Sequence, residues 1–382
     1  MPEKKFTTVF PLVRGKTSKQ AHADLPKYNE NTTFEEEHGR KGFFGKVSHL
    51  YHIHPPTGWI NIDGPLKPEL LDTNLLEPNG SNDVWSTPTV LMQNSDVKLK
   101  VSKRSGPMPY YFRNSEGDDL WFVHQGKGTI ETTYGPLEFD QGDYIVIPRG
   151  TMYRVVPETK NNHFLVIESR SEIEIPDRGM LGPNALFDPA VIETPEPAPI
   201  INSDKKDWIV RVKRNDQYTD FTFPYNPIDV IGWKGDVTPW KLNIHDFRPI
   251  MSHRYHLPPS AHTTFLSSTG SFVICSFVPR PFETEESAIK VPFHHSNVDY
   301  DEIIFYHDGN FFSRDNISSG MITFHPCGFT HGPHPKALTK MFKQNKTMTD
   351  EYAVMLDTKN PMELTPEGRG VANPDYWKSW MS

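Results

Sequence analysis

HHSNVDYDEIIFYHDGN at residues 294–310, FFSRDNISSGMITF at 311–324 and HPCGFTHGPHP at 325–335 make up the stretch on which the reading of this chain turns. His295 and Asn297 share a face by the two-residue period of a strand. Glu302 is expected on the next strand after a short turn, and His331 on a third strand across a barrel. Two imidazoles and one carboxylate at one point suit non-haem Fe(II) and leave positions open for substrate and oxygen. A charged Glu302 on an inward face is costly unless paired or metal-bound. The competing reading is a buried carboxylate satisfied between histidines, with no metal.

Working outward, the chain can be laid on itself. Phe112-Arg-Asn114 is followed after four residues by Asp119 and runs through LWFVHQG to Gly126. His295-Ser-Asn297 is followed after four residues by Glu302 and runs through IIFYHDG to Gly309. Gly142-DYIVI-Pro148-Arg-Gly150-Thr-Met-Tyr153 matches Gly320-MITFH-Pro326-Cys-Gly328-Phe-Thr-His331. Phe112 therefore stands opposite His295, Asp119 opposite Glu302 and Tyr153 opposite His331. The first copy lacks both imidazoles. Recurrence of both halves in order weighs against the metal-free reading.

Composition agrees with many short strands. The 382 residues include 35 prolines and 25 glycines, a density of breakers that argues against long helices. A net charge of −8 with no basic block excludes nucleic acid as an expected partner. Two cysteines, Cys275 and Cys327, fit a reducing compartment and no disulfide scaffold. The N-terminus has no apolar core of about 7–15 residues, so no signal peptide is expected. No run approaches the roughly 20 apolar residues of a membrane helix. A cytoplasmic enzyme is the expectation.

Along the chain, residues 1–40 read as a polar N-terminal arm. Residues 41–190 read as a β domain without a metal site, 191–245 as connecting strands, and 246–382 as the metal-binding β domain with its tail. The proline-rich stretch 179–199 suits a crossover. His49, His52 and His54 lie close together, with no carboxylate or cysteine in their segment, and read as structural or surface histidines. The tail segments KALTKMFKQ, DEYAVML and PDYWKSWM read as short helices or a last strand.

H-x-N-x(4)-E followed by P-x-G-x-x-H resembles the cupin metal motifs, with asparagine in place of the second histidine. This implies an all-β fold of two jelly-roll units, a bicupin, with small helical additions. From about Glu35 to Thr365 the chain is similar to the homogentisate 1,2-dioxygenase family, including its shorter bacterial members. GFFGKVSHLYHIHP, NSEGDDLWFVHQGKGTIETTYGPLEFDQGDYIVIPRG, IPDRGMLGPNALFDP, VIGWKGDVTPWKLN and HLPPSAHTTF carry the likeness. The resemblance implies Fe(II) on His295, Glu302 and His331, and His256 as the acid–base residue. It also implies His325 and Asn297 beside the metal, an aromatic diol and O₂ as substrates, and trimers paired into hexamers. The implied reaction converts homogentisate to maleylacetoacetate in tyrosine and phenylalanine catabolism.

The family's spacing from histidine to glutamate is one residue shorter, and the neighbouring His294 would widen the difference. His294, His253 and His334 read as structural as readily as functional. Where the family has a substrate-contacting tyrosine this chain has Phe311, and Ser296 replaces a ligand-flanking arginine. Tyr300 and Tyr306 are candidates to supply the missing hydroxyl. These departures leave room for gentisate or another hydroquinone, or for a metal-binding cupin that is not an oxygenase.

Overall fold

Prolines and glycines punctuate the chain so often that strands rarely exceed eight residues and helices barely form. The structure, a computed structural model, describes residues 12–18, 21–22, 33–79, 87–201, 204–314, 316–341 and 345–381. Of the arm expected over 1–40, residues 1–11, 19–20 and 23–32 lie outside the described residues. Three strands lead: β1 (Phe34–Gly39), β2 (Val47–His52) and β3 (Glu69–Asp72). Next come β4 (Thr89–Gln93), β5 (Val97–Arg104), β6 (Tyr111–Asn114), β7 (Asp118–Gln125) and β8 (Gly128–Thr132). This block closes with β9 (Gly135–Phe139), β10 (Asp143–Ile147), β11 (Met152–Pro157), β12 (Asn162–Ser169) and β13 (Ile173–Glu174). After the proline-rich crossover follow β14 (Trp208–Arg214), β15 (Gln217–Phe223), β16 (Trp240–Asn243), β17 (Thr263–Ser267) and β18 (Phe272–Phe277). The last strands are β19 (His294–Asn297), β20 (Asp301–Asp308), β21 (Met321–His325), β22 (Tyr352–Thr358) and β23 (Glu363–Leu364). Helices α1 (Pro335–Met341) and α2 (Pro366–Gly370) are short additions.

These strands build two sandwiches. The first joins a seven-stranded sheet, β16-β10-β7-β12-β5-β4-β23, to a six-stranded one, β15-β14-β6-β11-β8-β9. The second joins β13-β17-β18-β22-β20-β21-β3 to the three-stranded β19-β1-β2. Strand periodicity sorts each side chain to a face. On β7, Trp121 and Val123 fill the first sandwich, while Leu120 and Phe122 belong to the core shared by the two seven-stranded sheets. On β20, Ile303 and Phe305 enter that shared core, and Glu302, Ile304 and Tyr306 face a pocket inside the second sandwich. Phe122 meets Phe305 edge-on at 6.3 Å and Tyr144 meets Phe265 at 5.2 Å, so apolar contact fixes the two units back to back.

The repeat runs deeper than its motifs. β14 lies parallel to β6 with Arg211 opposite Phe112, and β1 lies parallel to β19 with Glu37 opposite His295. β16 pairs with β10, and β3 pairs with β21. Both blocks end in a 3₁₀ turn whose Asp72 or Asn243 side chain accepts from the amide two residues on. Residues 34–75 thus complete the second sandwich and residues 208–246 the first. These exchanged hairpins cross the boundaries expected at 40 and 245, while position 190 falls in the crossover before β14. Parallel neighbours demand a long crossover, and here each unit draws that neighbour from the other's leading block. FEEEHG and WIVRVKR share no side-chain pattern that would disclose the equivalence.

Candidate metal centre

The site begins at a corner. β19 and β20 belong to different sheets, so His295 and Glu302 face each other across the sandwich rather than lying on neighbouring strands as expected. His331 lies outside the named strands, contrary to the expected third strand. It forms an isolated bridge to His295, with His295 N–H donating to His331 O at 2.8 Å and the reverse bond at 2.9 Å. The corner Val298–Tyr300 turns the chain from one sheet to the other, and that turn brings the three side chains together. Phe112 and Tyr153 occupy the same cross-strand register in the first sandwich.

His295, Glu302 and His331 each offer a ligand atom within 4.8 Å of the others, and all three are buried. His295 Nε2 lies 3.2 Å and His331 Nε2 3.5 Å from Glu302 Oε2. The carbonyl of Phe293 lies 3.0 Å from His295 Nδ1. It accepts from that nitrogen, which leaves the Nε2 lone pair facing the cluster. Neither ring nitrogen of His331 makes a hydrogen bond. Burial, then repulsion from His295, brings the His331 pKa down to about 3, so its ring is neutral and able to ligate. Burial pushes the Glu302 carboxyl up, but His331, His295 and His325 together hold it well below the usual carboxylate range. The orphaned ring nitrogens of a neutral His331, with His295 Nε2 and an ionised Glu302, are the donor set that a divalent cation satisfies.

His325 stands opposite Glu302 on β21, its Nδ1 2.8 Å from Glu302 Oε1, and its ring stacks on His331 at 4.7 Å. It orients both groups from behind. His256 lines the pocket, and its Nδ1 lies 2.9 Å from Glu283 Oε1. Burial lowers the His256 pKa against the pull of Glu283, leaving Nε2 as a free acceptor. The pocket is walled by Phe277, Pro292, Phe293, Ile304 and Met355.

Other candidates fall elsewhere. Asn297 Oδ1 accepts from Gly42 N at 3.2 Å and ties down the turn after β1. The Tyr300 hydroxyl donates to Gly270 O at 3.0 Å. Phe311 packs edge-on against Tyr306 at 4.8 Å and borders a different hollow. None of these three lines the pocket, whereas Tyr306 does. His294 points away from the cluster by strand alternation, His334 is buried against Trp380, and His253 is exposed.

Sequence reading missed Arg280, Glu283, Arg314 and Glu351, since nothing local in FVPRPFETE or FFSRDN marks an inward charge. It also missed the acidic partners of the histidine-rich strand. Glu35 Oε1 lies 3.2 Å from His49 Nδ1, and Glu36 Oε2 lies 2.9 Å from His52 Nε2. The FEEE run on paired β1 was the available signal. His22, Glu37 and His49 also gather closely. However, the two ring nitrogens of His22 lie 2.9 Å from Glu35 and 2.8 Å from Glu37. The His22 ring thus sits between two carboxylates.

A family model described as "Homogentisate 1,2-dioxygenase N-terminal" matches residues 94–244. "Putative dioxygenase SSO1533" of Saccharolobus solfataricus is 30% identical over 390 aligned positions, covering 97% of this chain and 99% of that protein. "Homogentisate 1,2-dioxygenase" of Bradyrhizobium diazoefficiens is 25% identical and covers 71% of this chain; that of Dictyostelium discoideum is 25% identical and covers 70%. The chain spans 62% and 64% of their lengths. Protein Ylba of E. coli overlays with a TM-score of 0.36 at 10% identity, over 76% of this chain and 90% of that one. The fold therefore rests on strand order rather than on that overlay. Among the described residues no helix is long and apolar enough to cross a membrane. With two jelly-roll sandwiches, the matched N-terminal family segment and a full-length relative, the chain belongs to the homogentisate 1,2-dioxygenase family as a divergent cupin.

Proposed function

We propose that the protein is an Fe(II)-dependent dioxygenase that opens the ring of homogentisate to maleylacetoacetate in tyrosine and phenylalanine breakdown. The observation that supports this is the convergence of His295, Glu302 and His331 at one end of a pocket that also holds His256. Bound Fe(II) would supply a Lewis-acidic centre with open positions for a phenolate and O₂. His295 Nε2, Glu302 Oε2 and His331 Nε2 would hold it, and His325 Nδ1 engages Glu302 Oε1. His256 accepts the phenolic proton at Nε2, while Glu283 holds the opposite edge of the ring and stabilises the imidazolium that results. Phe277, Phe293 and Ile304 exclude water from the ring face.

The test is anaerobic iron loading followed by oxygen uptake with homogentisate, gentisate and plain hydroquinone. One O₂ consumed per homogentisate is expected. Uptake with gentisate or hydroquinone alone would change the substrate and keep the reaction class. Tight zinc or manganese binding with no oxygen uptake for any diol would overturn the reading.

A further inference from the structure

A pocket made only of the triad, His256 and apolar walls would accept any diol of the right size. This one carries more charge. Arg280, Arg314 and Glu351 line it, all nine-tenths or more buried. Arg280 Nη1 lies 3.5 Å from Glu351 Oε1 but makes no hydrogen bond. Arg314 Nη1 donates to Gly332 O at 2.8 Å and to Ser313 O at 3.3 Å, and its Nε makes no hydrogen bond. Among the described residues no carboxylate lies within ion-pair distance of Arg314. A buried guanidinium in that state is costly until an acid reaches it. Arg314 also borders the outer hollow that holds Lys340, Lys346 and Asp350, so positive charge continues beyond the pocket.

Arg280 already has Glu351 beside it, so Arg314 is the guanidinium left to meet a carboxylate on the substrate. The fork of a guanidinium fits a carboxylate with two parallel hydrogen bonds.

We propose that Arg314, with Arg280 held in place by Glu351, is the receptor for a carboxylate on the aromatic substrate and makes the site selective for hydroquinone acids over neutral hydroquinones. This rests on reading the pocket as a diol site. It also explains why Phe311 is tolerated without a hydroxyl. Phe311 packs on Tyr306 outside the pocket, and the polar anchor stands three residues later at Arg314.

The experiment compares wild type, Arg314→Gln and Arg314→Lys, in which glutamine can still donate to Gly332 O. Calorimetry on the anaerobic iron-loaded protein measures binding of 3-hydroxyphenylacetate and of its uncharged amide. Wild type should prefer the acid. Arg314→Gln should weaken the acid by about 30-fold or more, move the amide by less than about threefold, and leave Arg314→Lys in between. Equal binding of acid and amide by wild type, or equal loss of both in Arg314→Gln, would overturn the proposal. Should Arg314→Gln not fold, the wild-type preference and the Arg314→Lys loss decide it. Oxygen uptake with homogentisate and with methylhydroquinone separates the two readings. An acid preference in binding without uptake from any diol sinks the dioxygenase and keeps the receptor. Uptake at equal efficiency from both diols does the reverse.

Discussion

The two sandwiches place equivalent residues at equivalent points and settle their buried acids by opposite means. In the first, Asp119 stands where the second has Glu302, accepting from Asn114 Nδ2 and from the Tyr153 hydroxyl, each at 3.1 Å. Its positive charge is built in, since buried Lys100 and Lys213 both bond to Glu168, the cross-strand partner of Asp119. In the second, the register puts Cys275 where Lys100 would be, Gly39 where Lys213 would be, and Asp357 in the role of Glu168. Both oxygens of Asp357 lack hydrogen bonds, and burial, then Glu302, pushes its carboxyl well above the ordinary value. One copy therefore meets its buried acids with ammonium groups of its own chain. The other has removed those groups, which frees the cavity and its charge for something bound.

The largest effects should come from breaking the second copy where the first is indifferent. His331→Ala should cut bound iron, read by mass spectrometry, to less than about a tenth of wild type. It should lower oxygen uptake by about a thousandfold or more. Tyr153→Phe, at the matching point, should keep both within about twofold. Turnover surviving in iron-free His331→Ala would end the ligand assignment.

A sharper test tries to build the missing site. Phe112→His with Tyr153→His restores the imidazoles beside Asp119 but leaves Lys100 and Lys213 in the cavity. Metal content should stay at one ion per chain, because the ammonium groups already occupy the charge that a dication would take. Adding Lys100→Cys and Lys213→Gly should permit a second equivalent. A second ion in the doubly substituted protein would show that the lysines are not what excludes it.

Much of this comparison was legible in sequence because strand period and turn glycines fix spacing. Gly126 and Gly309, at φ 108° and 90°, close equivalent turns in which a Cβ would fall 2.1 Å from Asn162 Oδ1 and 1.9 Å from Asp350 O. Such constraints are local, so the motifs around them could be aligned by eye. Lys213 and Gly39 were not legible, since their equivalence arises only when β14 and β1 dock as parallel neighbours from distant parts of the chain. Arg314 escaped for a related reason. Its burial depends on Gly332 and on the return of the chain past His331, not on any pattern in its own segment.

The lysine pair makes the first copy sensitive to acid in a two-part way. Burial favours neutral Glu168, but Lys100 and Lys213 outweigh it and bring its pKa down to about 2. A depressed carboxyl contributes stability above its unfolded value, lost as pH falls from about 4.5 to 2, on the order of 3 kcal/mol. Asp119 has the opposite sign. Burial raises it to about 6, so its contribution is present below the unfolded value of 3.8 and lost as pH rises through 6. In urea titrations, Glu168→Gln should cost about 3 kcal/mol at pH 7 and converge on wild type near pH 2. The difference between wild type and Asp119→Asn should shift between pH 4 and 7 instead. Parallel curves for all three proteins would remove the lysine–carboxylate cluster from the account.

The smallest expected effect compares the two exchanged hairpins. Arg211 of β14 is answered within its own hairpin, with Nε and Nη2 each donating to Asp220 at 2.7 Å. Glu37, its counterpart on β1, is answered by His22 from outside the hairpin. Burial lowers the His22 pKa, but Glu35 and Glu37 overcome it and raise the ring above its ordinary value. Its other neighbours are the His49 ring, edge-on at 5.1 Å, and the more distant His256, which feels its charge. A raised histidine contributes stability below its unfolded pKa near 6.5, lost as pH rises through the folded value. His22→Gln should therefore cost more at pH 6 than at pH 9, read as melting temperature. Arg211→Gln should cost the same at both pH values, because a guanidinium does not titrate there. His22 also stacks on Phe293 at 3.7 Å, and Phe293 walls the pocket. Loss of the imidazolium clamp should therefore raise KM for the diol more than it lowers kcat. A His22→Gln penalty unchanged from pH 6 to pH 9 would mean that packing on Phe293, not charge, seats this residue.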